Sequence, residues 1–294
     1  MAEPITVAVR RGSLVESRHV AHAVAVRDGV VVAEAGDGGL VSYLRSSAKP
    51  IQALPLARAW PDLDDRELAI ACASHLADPE QLGAVGSLLA KAAAQEDELE
   101  CGPEGEPPAP IRHNCSGKHA GFLALCRARG WDSRGYRLAD HPCQRAMLEE
   151  VVSAAGVSEN EIRTAVDGCG VITYGLPLER MAFAFSRFAE LDAGTRVGAA
   201  MRAHPRLIRG PGAPDTLLME TLPGWIAKGG AEGLLCAAGA DGTGIAIKID
   251  DGSARAVGPA LAVFISRLGQ PLKVLEEDPI ANSRGEIVGE IRAE

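Results

Sequence analysis

The chain has 294 residues, enough for one large domain or two small ones. Hydrophobic residues make up 47 % of it but aromatics only 4 %, so a core has to be built mainly from Ala, Val, Leu and Ile. With 30 basic and 39 acidic residues the formal charge is −9, which disfavours nucleic acid and anionic membranes as partners, and no basic run interleaved with aromatics reverses that.

The first residues lack a basic start followed by an apolar stretch, and apolar runs such as 258–268 are too short to span a bilayer. The expectation is a cytoplasmic protein without a secretory signal. Seven cysteines without framework spacing favour reduced thiols. Cys72, Cys126, Cys143 and Cys236 lie in apolar runs and read as small buried hydrophobes.

Taken in chain order, the elements begin with β-rich runs at 5–9, 20–26 and 30–33; Arg27, Asp28 and Gly29 supply a tight turn, which predicts an antiparallel hairpin. Asp78, Pro79 and Glu80 offer an N-cap, a first-turn proline and an acid, opening a helix that runs through Ala90. Residues 96–111 are acidic and rich in Gly and Pro, which predicts a loop. Asp140, His141 and Pro142 open a further helix through Met147 and Val151, and Ser158 with Glu161 makes a capping box. Residues 245–249 predict a strand that turns at Asp250 to Gly252 and returns as a second strand through 254–257, before a final helix over 260–268. Strands at both ends with helices between them predict a single α+β domain over 1–294, the terminal strands joined in one antiparallel sheet packed against helices.

The sharpest local feature is Ser46-x-x-Lys49. If Ser46 starts a helix, Lys49 faces the same side three residues on. A serine hydroxyl needs a base to become a nucleophile, and a lysine serves only when burial or a nearby cation lowers its pKa. Arg45 offers that cation, or a bidentate grip on a substrate carboxylate. Taken alone, the commoner meaning of such a pattern is a capped helix with an exposed lysine. His113 to Gly121 is denser in polar function, with six of its nine residues able to donate, accept or ligate. Cys115 from this segment and Cys169 from the turn Asp167 to Gly170, with a third N or O donor, suit tetrahedral zinc. A polar loop with two buried thiols is the plainer alternative, since no Cys-x-x-Cys pair is present. Ala73-Ser74-His75 ends an apolar stretch, as a cleft lining or a helix C-terminus. Lys228 opens a glycine-containing segment to Gly233 that allows close backbone approach.

Six blocks occur together and in order: Arg45 to Gln52, Ala73 to His75, His113 to Gly121, Asp167 to Val171 with Tyr174 to Pro177, His204-Pro205, and Lys228 to Gly233. In this the chain resembles the asparaginase II family, the thermolabile or rhizobial type of L-asparaginase. The resemblance implies a serine β-lactamase-like fold, an antiparallel sheet against helices. It implies two Ser-Lys pairs, Ser46 with Lys49 and Ser74 with Lys228, that hydrolyse L-asparagine to L-aspartate and ammonia. It further implies zinc on Cys115, Lys118 and Cys169, positioning substrate more than performing hydrolysis. Asp167 would meet the substrate ammonium and Arg45 a carboxylate, with His119 beside both, in a homodimer. Two departures stand out: Leu76 to Gln81 where a Gly-Glu-type turn and a histidine are expected, and Ile172 where a proline is expected. The competing readings are a glutaminase or another Ser-Lys amidohydrolase, a non-catalytic zinc- or amino-acid-binding relative, and a thiol or redox role for Cys115 and Cys169.

Overall fold

In the computed structural model, which describes residues 2–294, strand β2 (Leu14–Arg27) is the spine of the larger sheet. Its first half pairs with β1 (Ile5–Arg11), and its second half with both β3 (Val30–Ala35) and β9 (Gly244–Ile249), always antiparallel. β3 therefore takes over from β1 along one edge of β2. Beyond β9 lie β8 (Leu234–Ala238) and β7 (Ile226–Gly229); beyond β1 lie β11 (Ile287–Ala293) and β10 (Glu277–Ala281). A second, three-stranded sheet has the order β4 (Val41–Tyr43), β6 (Ile172–Pro177), β5 (Arg163–Val166). The architecture is α+β, as the pattern of strands and helices predicts.

Residue chemistry explains the layering. Every residue of β8 and β9 is buried, because helices cover both faces: Leu178–Ser186 packs on β2, β8 and β9, and Val257–Ser266 on β1, β9 and β11. Strands buried on both sides are uniformly apolar rather than alternating, which fits their Ala, Ile and Leu content. Gly244 sets the closeness of one layer, since a Cβ there would lie 2.0 Å from the Ala182 carbonyl oxygen.

The predicted hairpin is present, with Asp28 at φ 51° and Gly29 at φ 76° making the β2–β3 turn. Asp78 caps the helix Pro79–Lys91 through a reciprocal box with Gln81. His141 caps Pro142–Ala155, its ring accepting from the Cys143 N–H. The Ser158–Glu161 capping box forms as predicted, at the head of a 3-10 turn over 159–161. Residues 254–257 do not return as a strand, because the Asp251 carboxylate accepts the Ser253 N–H and the chain passes through a 3-10 turn into Val257–Ser266. The β10–β11 hairpin, which closes the sheet against β1, has no counterpart in the sequence-based expectations. Among the described residues no helix is long and apolar enough to cross a membrane.

Candidate active site

Arg45, Ser46 and Lys49 follow β4, whose exit is tied to β6 by the Leu44 N–H donating to the Tyr174 carbonyl at 2.8 Å. Arg45 has φ +47°, a conformation that costs a long side chain energy and persists only when its surroundings hold it. Its N–H donates to Thr173 Oγ1 at 3.1 Å and its Nε to Asp167 Oδ1 at 2.7 Å. A 3-10 turn over 45–48 and the helical turn Lys49–Gln52 then carry Lys49 inward, to 1 % exposure. The exposed lysine of an ordinary capped helix is not what forms, and no side-chain cap is made at either turn.

Ser74 lies just past the helix Asp65–Ala71, and its N–H donates to the Ile208 carbonyl at 2.8 Å. Lys49 Nζ donates to Ser74 Oγ at 2.9 Å and to the Ala73 carbonyl. The lysine of the first block thus meets the serine of the second. Lys228, on β7, does not hydrogen-bond Ser74: its Nζ donates to the Gly229 carbonyl at 2.6 Å and lies 3.8 Å from Asp215 Oδ2. Lys49 thus bonds Ser74 rather than Ser46, and Lys228 is held on its own strand, whose backbone Asp215 also grips by accepting the Gly229 N–H at 3.0 Å. Ser47 fixes the same strand from the other side, its hydroxyl donating to the Lys228 carbonyl at 2.8 Å.

Both lysines are buried, and burial is the main force that lowers their pKa values. For Lys228 the result is about 7: burial lowers it, Asp215 opposes, and Lys49 and Arg209 lower it further. Burial likewise pushes Lys49 down, with Cys115 opposing and Lys118 assisting. Ser46, Ser74 and His75 line a common cleft of about 550 Å³, with Arg112, Arg209 and Glu232 among its other walls. His75 Nε2 is 2.8 Å from Ser116 Oγ.

The helix Ser116–Arg129 brings the third cluster to this place. Gly117 lets it approach the helix Asp65–Ala71, since a Cβ there would lie 2.1 Å from the Ile70 carbonyl oxygen. Lys118 Nζ donates to Cys169 Sγ at 3.0 Å, and Cys115 N–H donates to His113 Nδ1 at 3.0 Å. The Cys115 thiol sits well below its usual range: its hydrogen bond with Cys169 leads, burial opposes, and the Lys49 and Lys118 cations help. His119 is fully buried, its Nδ1 2.7 Å from the Tyr136 hydroxyl and its Nε2 without a partner. Two thiols and an amine within hydrogen-bonding reach form a donor set that fits zinc. Among the described residues no three His, Cys, Asp or Glu side chains group for a metal, so an ion here needs Lys118 as a ligand.

Sequence reasoning missed Asp215 and Arg209. Asp215 lies in the first turn of the helix Pro214–Thr221 and Arg209 shortly before it; nothing local in the sequence marks either as a neighbour of Lys228.

With this geometry, the comparisons with known proteins give the class. The L-asparaginase II family model matches residues 7–293, so the chain belongs to the L-asparaginase II family. It is an amidohydrolase, an L-asparaginase whose substrate is the small molecule asparagine. No curated protein matches the chain.

Proposed function

We propose that this L-asparaginase works by acyl transfer, with Ser46 as nucleophile and the buried Lys49, Ser74 and Lys228 moving its protons. The observation that supports this most directly is the Lys49–Ser74 hydrogen bond in a cleft that Ser46 also lines. Ser46 Oγ attacks the side-chain amide carbon, and its proton passes to a neutral lysine. The carbonyl π pair moves onto oxygen as the C–O bond forms. Collapse of that oxyanion breaks the C–N bond, and ammonia leaves with a proton returned by the lysine–serine relay. Water then adds to the aspartyl ester with Lys228 taking its proton; the oxyanion collapses, the C–Oγ bond breaks, and the lysine's proton passes back to Ser46 Oγ, freeing aspartate. Two lysines in one dry site disfavour each other's protonation, which supplies a free base near neutral pH.

Cys115, Lys118 and Cys169 would hold a zinc ion, which supplies positive charge for orienting substrate. Asp167 would meet the substrate ammonium, and Arg45, whose Nε donates to Asp167 Oδ1, holds that aspartate carboxylate in place. His119 lies beside this wall and keeps one ring nitrogen free.

The Lys49–Ser74 hydrogen bond also supports a second reading: Lys49 donates to Ser74 Oγ, which would make Ser74 the acylated residue. Ammonia release from asparagine and glutamine by wild type, Ser46→Ala and Ser74→Ala, with acid-quenched samples analysed for an aspartyl adduct, separates the two. The adduct should sit on Ser46 and be absent from Ser46→Ala. Undiminished turnover in Ser46→Ala would refute the assignment. Glutamine differs by one methylene, worth roughly 1–3 kcal/mol of discrimination, so both amides belong in the assay.

A further inference from the structure

We infer that Arg209 receives the α-carboxylate of the substrate and so restricts turnover to amides that carry a free one. The inference rests on the cleft being the amide-hydrolysing site.

An amino-acid substrate brings an anion that has to meet a cation. Arg45 is poorly placed for this, because its charge is already matched: Asp167 Oδ1 lies 2.7 Å from its Nε and Glu232 Oε1 4.0 Å from its Nη1. A third carboxylate there would sit beside these two. Arg209 and Arg112 also line the cleft, and among the described residues neither guanidinium makes a hydrogen bond or ion pair with protein. Of the two, Arg209 is tied to the reacting groups by the backbone. The preceding residue, Ile208, accepts the Ser74 N–H at 2.8 Å. The following Gly210, at φ +118°, packs so closely on Leu76 that a Cβ would lie 2.7 Å from its Cδ1. This short bridge fixes where the Arg209 stem starts relative to Ser74. Arg209 also acts on Lys228, whose pKa it helps to lower, so its charge is felt at the centre of the site. A planar guanidinium with free donors matches a carboxylate in a bidentate pair.

The test uses wild type, Arg209→Ala, Arg209→Lys and Arg112→Ala on L-asparagine and on its α-amide, which lacks the anion. Rates are taken on the alkaline plateau, so that a changed Lys228 pKa does not enter. Binding of L-aspartate is read separately by thermal shift. Arg209→Ala should raise KM for L-asparagine roughly 10- to 100-fold, the size of a lost charged hydrogen-bond pair, with kcat within a few-fold. It should abolish the L-aspartate shift, and Arg209→Lys should recover part of both. Wild type should turn over the α-amide poorly, and Arg209→Ala should not worsen it. Three results would overturn the inference: an unchanged KM and thermal shift, an equal loss on both substrates, or the KM effect appearing in Arg112→Ala instead. If Ser46→Ala and Ser74→Ala both kept full turnover, the cleft would not be the hydrolytic site. The L-aspartate shift would then judge Arg209 alone, its retention in Arg209→Ala counting against the inference.

Discussion

Replacing Asp215 with asparagine removes one negative charge and little else, since the amide oxygen can still accept the Gly229 N–H. In the native site that charge lies 3.8 Å from Lys228 Nζ, and it is what chiefly opposes the burial that lowers the lysine to about 7. At an effective dielectric near 20, a unit pair at this distance interacts by about 4 kcal/mol, or roughly 3 pK units. The asparagine dipole and partial rehydration return some of this, so a fall of roughly 1–3 units is expected. The sign is definite: a protonated lysine loses its counter-charge, and its pKa falls. If Lys228 acts as a free base, wild-type kcat/KM rises with pH through about 7. In Asp215→Asn that acid limb should move to lower pH, with the plateau held within a few-fold. The assay is ammonia release at substrate well below KM across the pH range. A limb that stays in place, or moves to higher pH in a folded variant, would refute the charge balance derived for Lys228.

The same lysine makes a stability prediction. Its ordinary value of 10.5 applies in the unfolded chain and about 7 in the folded one, so unfolding takes up a proton between those limits. Its neutral form stabilises the fold above about pH 10.5, and that contribution is lost as pH falls toward about 7. Lys228→Met should abolish turnover and remove this slope, so urea unfolding should show wild type gaining on the variant between about pH 7 and about pH 9; parallel curves would exclude it. Gly117→Ala should destabilise by about 1–3 kcal/mol or more through its collision with the Ile70 carbonyl, read by urea midpoint, and an unchanged midpoint would disprove the close approach. Chelation, or serine at Cys115 and Cys169, should raise KM with kcat largely kept; collapse of kcat at constant KM would refute a positioning role for zinc.

Local chemistry made much of the fold legible. The Asp28-Gly29 turn, the Asp78 N-cap and the helix opened at Asp140 to Pro142 are each decided by a few neighbouring residues, and each forms where the sequence places it. What failed was long-range. Glu277 to Ala281 carries two acids and a proline, so nothing marks it as a strand, yet an edge position beside β11 tolerates all three. Residues 254–257 alternate like a strand, but the Asp251 turn carries them through a 3-10 turn into the helix Val257–Ser266, which packs on β1 and β9.

The site divides along the same line, and the division bears on mechanism. Ser46 and Lys49 lie three residues apart, a spacing that suggested a pair, but the turn that buries Lys49 aims its amine at Ser74, which follows a different helix. Lys228 looked like the natural partner of Ser74, yet its strand holds it against Asp215 and its own backbone. Sequence spacing ranks partners by separation along the chain, whereas a buried amine is placed by whichever acceptors satisfy it. The two lysines are therefore not equivalent. In the proposed mechanism Lys49, bonded to a serine, passes protons, and Lys228, its pKa lowered to about 7 beside a carboxylate, holds or releases one. A site built this way should lose activity steeply when Lys49 is replaced even by arginine, whose always-charged guanidinium cannot accept a proton from Ser74 or Ser46.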